Sequence, residues 1–274
     1  LVKGGDYEHY LIEDFPCNQF NHVILCVPLQ KDTMWLECTS QTIAPGYMSE
    51  FTGNRKALLI DEEGGTLVST PRYGLKENIL LREVQSKMDG EGNLNMKVST
   101  KYSGIQQDDL SMMINVLSKD KLEKILQRNL DLASYNINDF KYQETKAVLP
   151  ELDEHLDIAV NNYATVSGKR LFIVPNLLNR SDKKFTPDDA RTVDLVFYSE
   201  WKDEDSYEIE IPEGYQPESM PQDVSLKTKF GTYSCSTKLN GNKIIYHRVR
   251  EQFSGKFSAK DQQELAKFFD DIYK

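Results

Sequence analysis

Three observations predict an α+β fold that is mainly β. Short apolar runs alternating with polar residues recur along the chain, several are joined by glycine-bearing tight turns, and helical periodicity is confined to one central stretch and the C-terminus. Tyrosine and phenylalanine are plentiful and alanine is sparse, which suits pleated, half-buried surfaces better than a helical bundle. The expected organisation is a small αβ unit over 1–74, followed over 75–274 by a large antiparallel β-sandwich-type domain with a few helices.

The 274 residues are 39% hydrophobic, enough to fill a sizeable core. The net charge of −10 is spread along the chain with no basic stripe, so no nucleic-acid partner is expected. No apolar run approaches the roughly 20 residues of a membrane span. The chain opens on Leu1-Val2-Lys3-Gly4, without an initiator Met or a signal sequence, and reads as a fragment or a processed product. Cys17, Cys26, Cys38 and Cys235 show no C-x-x-C pairing. Neither metal nor cofactor is expected.

Taken in order, residues 1–19 read as a strand stub, a polar loop over Gly4 to His9, and Asp14-Phe15-Pro16 leading into a hairpin. Its strands are Phe20 to Val27 and Met34 to Thr39, connected over Pro28 to Lys31. A second hairpin joins Lys56–Ile60 to Thr66–Ser69 through the acidic turn Asp61-Glu62-Glu63 and two glycines. Strands follow at Ile79–Met88 and Leu94–Tyr102 around an Asp89-Gly90 turn. A helical stretch spans 107–132, with a break near Ser118, a candidate cap. Further strands are predicted at 138–148, 152–163, 170–174, 193–201 and 206–211, with Asp203-Glu204-Asp205 as a solvated acidic turn. The strands 226–230, 231–239 and 243–253 come next, the last two joined at Asn240-Gly241. Ser258 and Asp261 resemble a capping box opening a final helix with Leu265, Phe268, Phe269 and Ile272 on one stripe.

The first hairpin carries the candidate chemistry. The predicted register sets His22 opposite Glu37 on one face, with Cβ atoms about 5 Å apart. A histidine held by a carboxylate is the base-and-orienter half of a nucleophilic site. From spacing alone, the same two residues more often make a structural cross-strand pair, since opposite polar residues are common on half-exposed sheets. Trp35 and Asn21 are candidate walls of a cleft, Trp35 alternatively filling the space beneath a missing helix. Cys26 shares the face of His22 but lies about 13 Å along the strand. Cys17 follows Pro16 with no helix start behind it to activate a thiol. His155 and His247 are single histidines in strand-like runs and read as surface or satisfied core residues.

Phe20-Asn21-His22-Val23, Trp35-Leu36-Glu37-Cys38-Thr39-Ser40, Gly46-Tyr47 and Ala57-Leu58-Leu59-Ile60 together resemble the transglutaminase-like (papain-fold) core of multi-domain bacterial proteins. The resemblance covers residues 1 to about 70, as the second half of such a core. It implies a cysteine peptidase or amide acyltransferase, with His22 at the catalytic-histidine position and Glu37 at the aspartate position. The family pattern has Asp where this chain has Glu37, and its nucleophilic Cys opens a helix well before the histidine strand. It therefore implies that the chain alone is inactive. The missing half of the core, or another chain, is expected against the face of His22, Ile24, Cys26 and Trp35, with a protein or peptide substrate. It further implies an exported protein of the cell envelope or periplasm. The alternative function is a non-catalytic binding or scaffolding module at that envelope.

Overall fold

Alternation and turn chemistry dictate most of the strands. The computed structural model describes residues 1–5, 11–15, 17–180 and 184–273. Pro16 and the part of the expected loop over Asp6 to His9 lie outside the described residues. The N-terminal residues form two small hairpins, β1 (Leu25–Pro28) with β2 (Thr33–Leu36), and β3 (Lys56–Asp61) with β4 (Gly64–Ser69). The second turn is held by Asp61, whose carboxylate accepts from the N–H groups of Glu63 and Gly64 at 2.9 and 3.1 Å. Val2 bridges the two hairpins, pairing with both His22 and Ala57. Val2, Ile24, Met48 and Ala57 form a small core, against which Trp35, Val68 and Tyr73 pack.

Ten of the remaining elements are strands and two are helices ahead of the C-terminal part: β5 (Ile79–Met88), β6 (Leu94–Ser103), α1 (Asp108–Val116), α2 (Lys119–Asn129), β7 (Tyr135–Thr145), β8 (Glu151–Val160), β9 (Thr165–Ser167), β10 (Arg170–Phe172), β11 (Leu195–Phe197), β12 (Trp201–Glu210), β13 (Val224–Lys227), β14 (Gly231–Asn240). Two more strands, β15 (Lys243–Gln252) and β16 (Gly255–Phe257), precede α3 (Gln262–Tyr273). Eight strands make one sheet in the order β13-β14-β15-β12-β5-β6-β8-β7. Its neighbours are antiparallel except β12 and β5, which run parallel. The expectation of a wholly antiparallel sheet is corrected to a mixed one. Short connections join β5–β6, β7–β8, β13–β14 and β14–β15, but β12 and β5 come together from positions far apart in sequence, where no short turn fixes direction.

One face of the sheet is apolar. Val84, Met96, Ile158, Ile209 and Ile244 bury together, and Leu126 of α2 and Leu177 pack among them. A second cluster joins Phe230 and Tyr233 to Leu265, Phe268 and Ile272 of α3. The expected capping box at the start of that helical segment is present: the Ser258 hydroxyl accepts from Lys260 N–H, and Asp261 accepts from Ser258 N–H at 3.0 Å. Ser118 occupies the N-cap of α2 without a side-chain hydrogen bond.

Asp203-Glu204-Asp205 is not a solvated turn. It lies within β12, where Asp205 is 0% exposed and directly opposes Arg248 on one neighbouring strand and Arg82 on the other. Arg248 donates to its carboxylate, as do the Tyr207 hydroxyl at 3.0 Å and the Asn179 amide at 2.6 Å, and Arg82 stands 3.7 Å away. Burial of this acid is compensated on both sides of the strand, which is why it can sit on the inward face.

Candidate functional site

The first hairpin places His22 and Glu37 together by a different register from the expected one. Leu25 faces Leu36 and Pro28 faces Thr33, so the ladder is shifted by two residues and His22 lies beyond its end. Side chains alternate with period two, and a shift of two leaves each on its original face. His22 Nε2 therefore still reaches both Glu37 oxygens, at 3.0 and 2.9 Å. The Glu37 side chain is 1% exposed and also accepts from the Thr39 N–H at 3.0 Å and the Thr39 hydroxyl at 2.7 Å. Burial alone would raise its pKa, but the Thr39 and His22 hydrogen bonds outweigh burial and hold the carboxyl below the usual range. An ionised carboxylate only accepts, so His22 Nε2 carries the donated proton, and Nδ1 is the nitrogen left unengaged by Glu37.

The surroundings fix this geometry. The Phe51 ring stands edge-on to His22, its centroid 4.9 Å away. A Cβ at Gly4 would come within 2.9 Å of that ring, so a larger residue there would force the Phe51 ring to shift. His22 exchanges two backbone hydrogen bonds with Val2, at 2.9 and 3.0 Å. Asn21 brackets Gly4, accepting from its N–H at 2.7 Å and donating to its carbonyl at 3.0 Å. Trp35 packs on the small core, and its carbonyl accepts from Gly46 N–H at 3.1 Å. The face expected to lie bare is covered from within by Val2, Met48 and Ala57 around Ile24. Exposed apolar side chains sit on the opposite face, Val23 at 63% and Leu25 at 50%.

All four cysteines are free; Cys17 and Cys38 are exposed, while Cys26 and Cys235 are half-buried. Burial pushes the Cys26 thiol up, away from the thiolate a nucleophile needs. His247 meets Glu204 at 3.2 Å, and His155 is an exposed strand residue. Among the described residues, no three His, Cys, Asp or Glu side chains converge as metal ligands.

A second feature escaped the sequence reading. Where the N-terminal hairpins meet the main sheet, Asp108 at the start of α1 accepts from the Tyr47 hydroxyl at 2.9 Å and from Glu50 N–H at 3.2 Å. Burial, with Glu50 and Asp109 nearby, drives its carboxyl up to about 6. Beside it opens a cavity of about 330 Å³. The local signal at Asp108-Asp109 is that of acids in a helix's first turn, which says nothing of a partner sixty residues earlier.

Comparison with known families matches residues 169–274 to a domain of unknown function with a solved structure, DUF3858. The match spans β10 to α3, which includes four of the eight main-sheet strands. No curated protein and no solved structure matches the chain. Among the described residues, no helix is long and apolar enough to cross a membrane. The C-terminal part, β-rich in this structure, is thus similar to a domain whose role is unassigned, and the comparisons are silent on residues 1–168.

Proposed function

We propose that His22 and Glu37 are the base and its orienter in a cysteine-dependent acyl transfer or hydrolysis at an amide, of the transglutaminase-like kind. The observation that carries this reading is the buried Glu37 carboxylate gripping His22 Nε2 and leaving Nδ1 unengaged by it. A thiol beside Nδ1 would lose its proton to that nitrogen, and its sulfur would add to the carbonyl carbon. Collapse of the adduct expels the amine, which takes the proton back from the imidazolium, and leaves a thioester. Water or a second amine then resolves the thioester through the same base.

None of the chain's cysteines makes a hydrogen bond to His22 among the described residues. In this reading the thiol is one that another segment or chain brings beside Nδ1. Substituting His22→Ala in the full gene product is the direct test. Loss of about 10²–10⁴ in amidase or transamidase rate is expected of a general base. Unchanged turnover rejects the assignment.

A second reading is a non-catalytic binding or scaffolding module. The doubled Val2–His22 backbone bond and the Asn21 bracket favour it, because both make the dyad part of the stitch that holds the first strand. It predicts that His22→Ala lowers stability and alters no rate. A Ser, Ala or Gly at the nucleophile position of the gene product would also favour it.

A further inference from the structure

We propose that the free edge of the main sheet is a dimer seam, on which β7 pairs antiparallel with β7 of a second copy about a twofold axis through Phe140. The strand order ends on β7, whose neighbour on one side is β8 and which has no strand on the other among the described residues. Its 11 residues make a long edge. A row of unpaired N–H and C=O groups is a template for another strand, which is why exposed edges are usually short. Among the described residues, no backbone hydrogen bond joins β7 to anything but β8. The inner face of the strand is already occupied, Tyr135 and Phe140 packing on the core together with Leu126 and Leu130 of α2 and its C-terminal end.

Charge selects a second copy as the occupant and fixes the register. Asp139 and Lys141 are exposed on the outer face, two residues apart with Phe140 between them, and neither has a salt-bridge partner among the described residues. Asp139 instead opposes Asp157 of β8, a like charge, and Lys141 opposes His155. Directly opposite residues must share a face, so the twofold axis can move only by whole residues. Centred on Asp139 or on Lys141 it sets like charges against each other, and centred on Tyr142 it sets Lys141 against Gln143. Centred on Phe140 it brings Lys141 of each copy to Asp139 of the other, which makes two ion pairs. The bulge between Ile137 and Asp139 fits this register. Asn138 and Asp139 both face outward and together oppose Lys141, after which half-buried Ile137 meets half-buried Tyr142 and exposed Asn136 meets exposed Gln143. Charges of one sign would guard an edge by repelling a copy in every register; these two attract in one.

The test is sedimentation equilibrium of residues 1–274 at low ionic strength, over concentrations from low micromolar to near millimolar. A reversible monomer–dimer equilibrium is expected, weakening as salt screens the exposed pairs. Asp139→Lys and Lys141→Asp each turn both cross-copy pairs repulsive and should weaken the dimer by about tenfold or more. The double variant exchanges the two charges and should restore it. Both side chains are exposed, so these variants keep the fold. Hydrogen exchange should show amides of β7 gaining protection as the wild type dimerises. A chain that stays monomeric throughout overturns the proposal and leaves the edge to an extended segment of another protein. A dimer that ignores both single variants, or that the double variant does not restore, or that leaves β7 amides unprotected, also overturns it, because the copies then meet elsewhere. No turnover is read, so the outcome is independent of the His22–Glu37 reading.

Discussion

Replacing Glu37 by Gln should reverse the tautomer of His22. Glu37 presents two acceptors: Oε1 receives the Thr39 N–H at 3.0 Å and the Thr39 hydroxyl at 2.7 Å, while both oxygens face His22 Nε2. Glutamine has one acceptor and one donor. Turning its NH₂ toward Thr39 would set donor against the backbone N–H, and a buried donor without a partner costs about 1–3 kcal/mol. Keeping the oxygen on Thr39 instead points the amide at Nε2, which must then accept, so the ring proton moves to Nδ1. At 1.4 kcal/mol per tenfold, that penalty favours the reversed tautomer by roughly 5- to 140-fold. The assay is two-bond ¹H–¹⁵N correlation of the His22 ring at neutral pH, which separates protonated from bare nitrogen. The wild type should show Nε2–H with bare Nδ1, and Glu37→Gln the opposite. A wild-type Nδ1–H tautomer would refute the reasoning, because the nitrogen assigned as base would already hold a proton. A reversed tautomer in a catalytic triad costs on the order of 10⁴ in kcat, so on the acyl-transfer reading proposed above the same variant should be nearly silent.

Asp205→Ala should destabilise the chain by about 3–5 kcal/mol, since it leaves Arg248 and Arg82 buried without their shared counter-charge. Urea denaturation measures this, and a loss below about 1 kcal/mol would mean that water solvates the arginines. Asp108 should make stability fall as pH rises. Its folded carboxyl keeps a proton up to about pH 6, against an ordinary value of 3.8, so the folded state binds more protons across that window. The expected loss is on the order of 2–3 kcal/mol between about pH 4 and pH 7, and Asp108→Asn should abolish that component of the slope in denaturation curves. Asn21→Ala removes both bonds to Gly4, and faster amide exchange at Gly4 and Val2, with about 1–2 kcal/mol of local opening energy lost, should report it.

The pairing of His22 with Glu37 was legible because it depends on a robust property, the face a side chain takes, rather than on register. The loop runs over Leu29 to Asp32, one residue later than expected, closed by Leu29 N–H on the Asp32 carbonyl at 2.8 Å and by Thr33 N–H on the Asp32 carboxylate at 2.7 Å. Moving a loop by one residue moves register by two, and two preserves the face. Hairpins with their turns in the sequence, such as β5–β6 around Asp89 and β14–β15 around Asn240-Gly241, were legible for a related reason: local chemistry decides them. The three-residue strands β9 and β16 lie below the length at which alternation shows.

Asp205 marks where that kind of reading stops. Three consecutive acids have the composition of a turn, and alternation alone would send Asp205 either to solvent or into an apolar core. What makes its inward placement stable is the order β15-β12-β5, which sets Arg248 on one side and Arg82 on the other. Arg82 and Arg248 are separated from Asp205 by very different stretches of chain, one across a parallel junction and one across an antiparallel pair. No window along the sequence contains all three. Given the sheet order, the residue chemistry follows directly: an acid between two arginines, with Tyr207 and Asn179 taking its remaining acceptor capacity. The junction cavity obeys the same logic, since Tyr47 and Asp108 meet only after both units have folded. What was missing from the sequence was therefore adjacency between distant strands, not the meaning of the residues once adjacent.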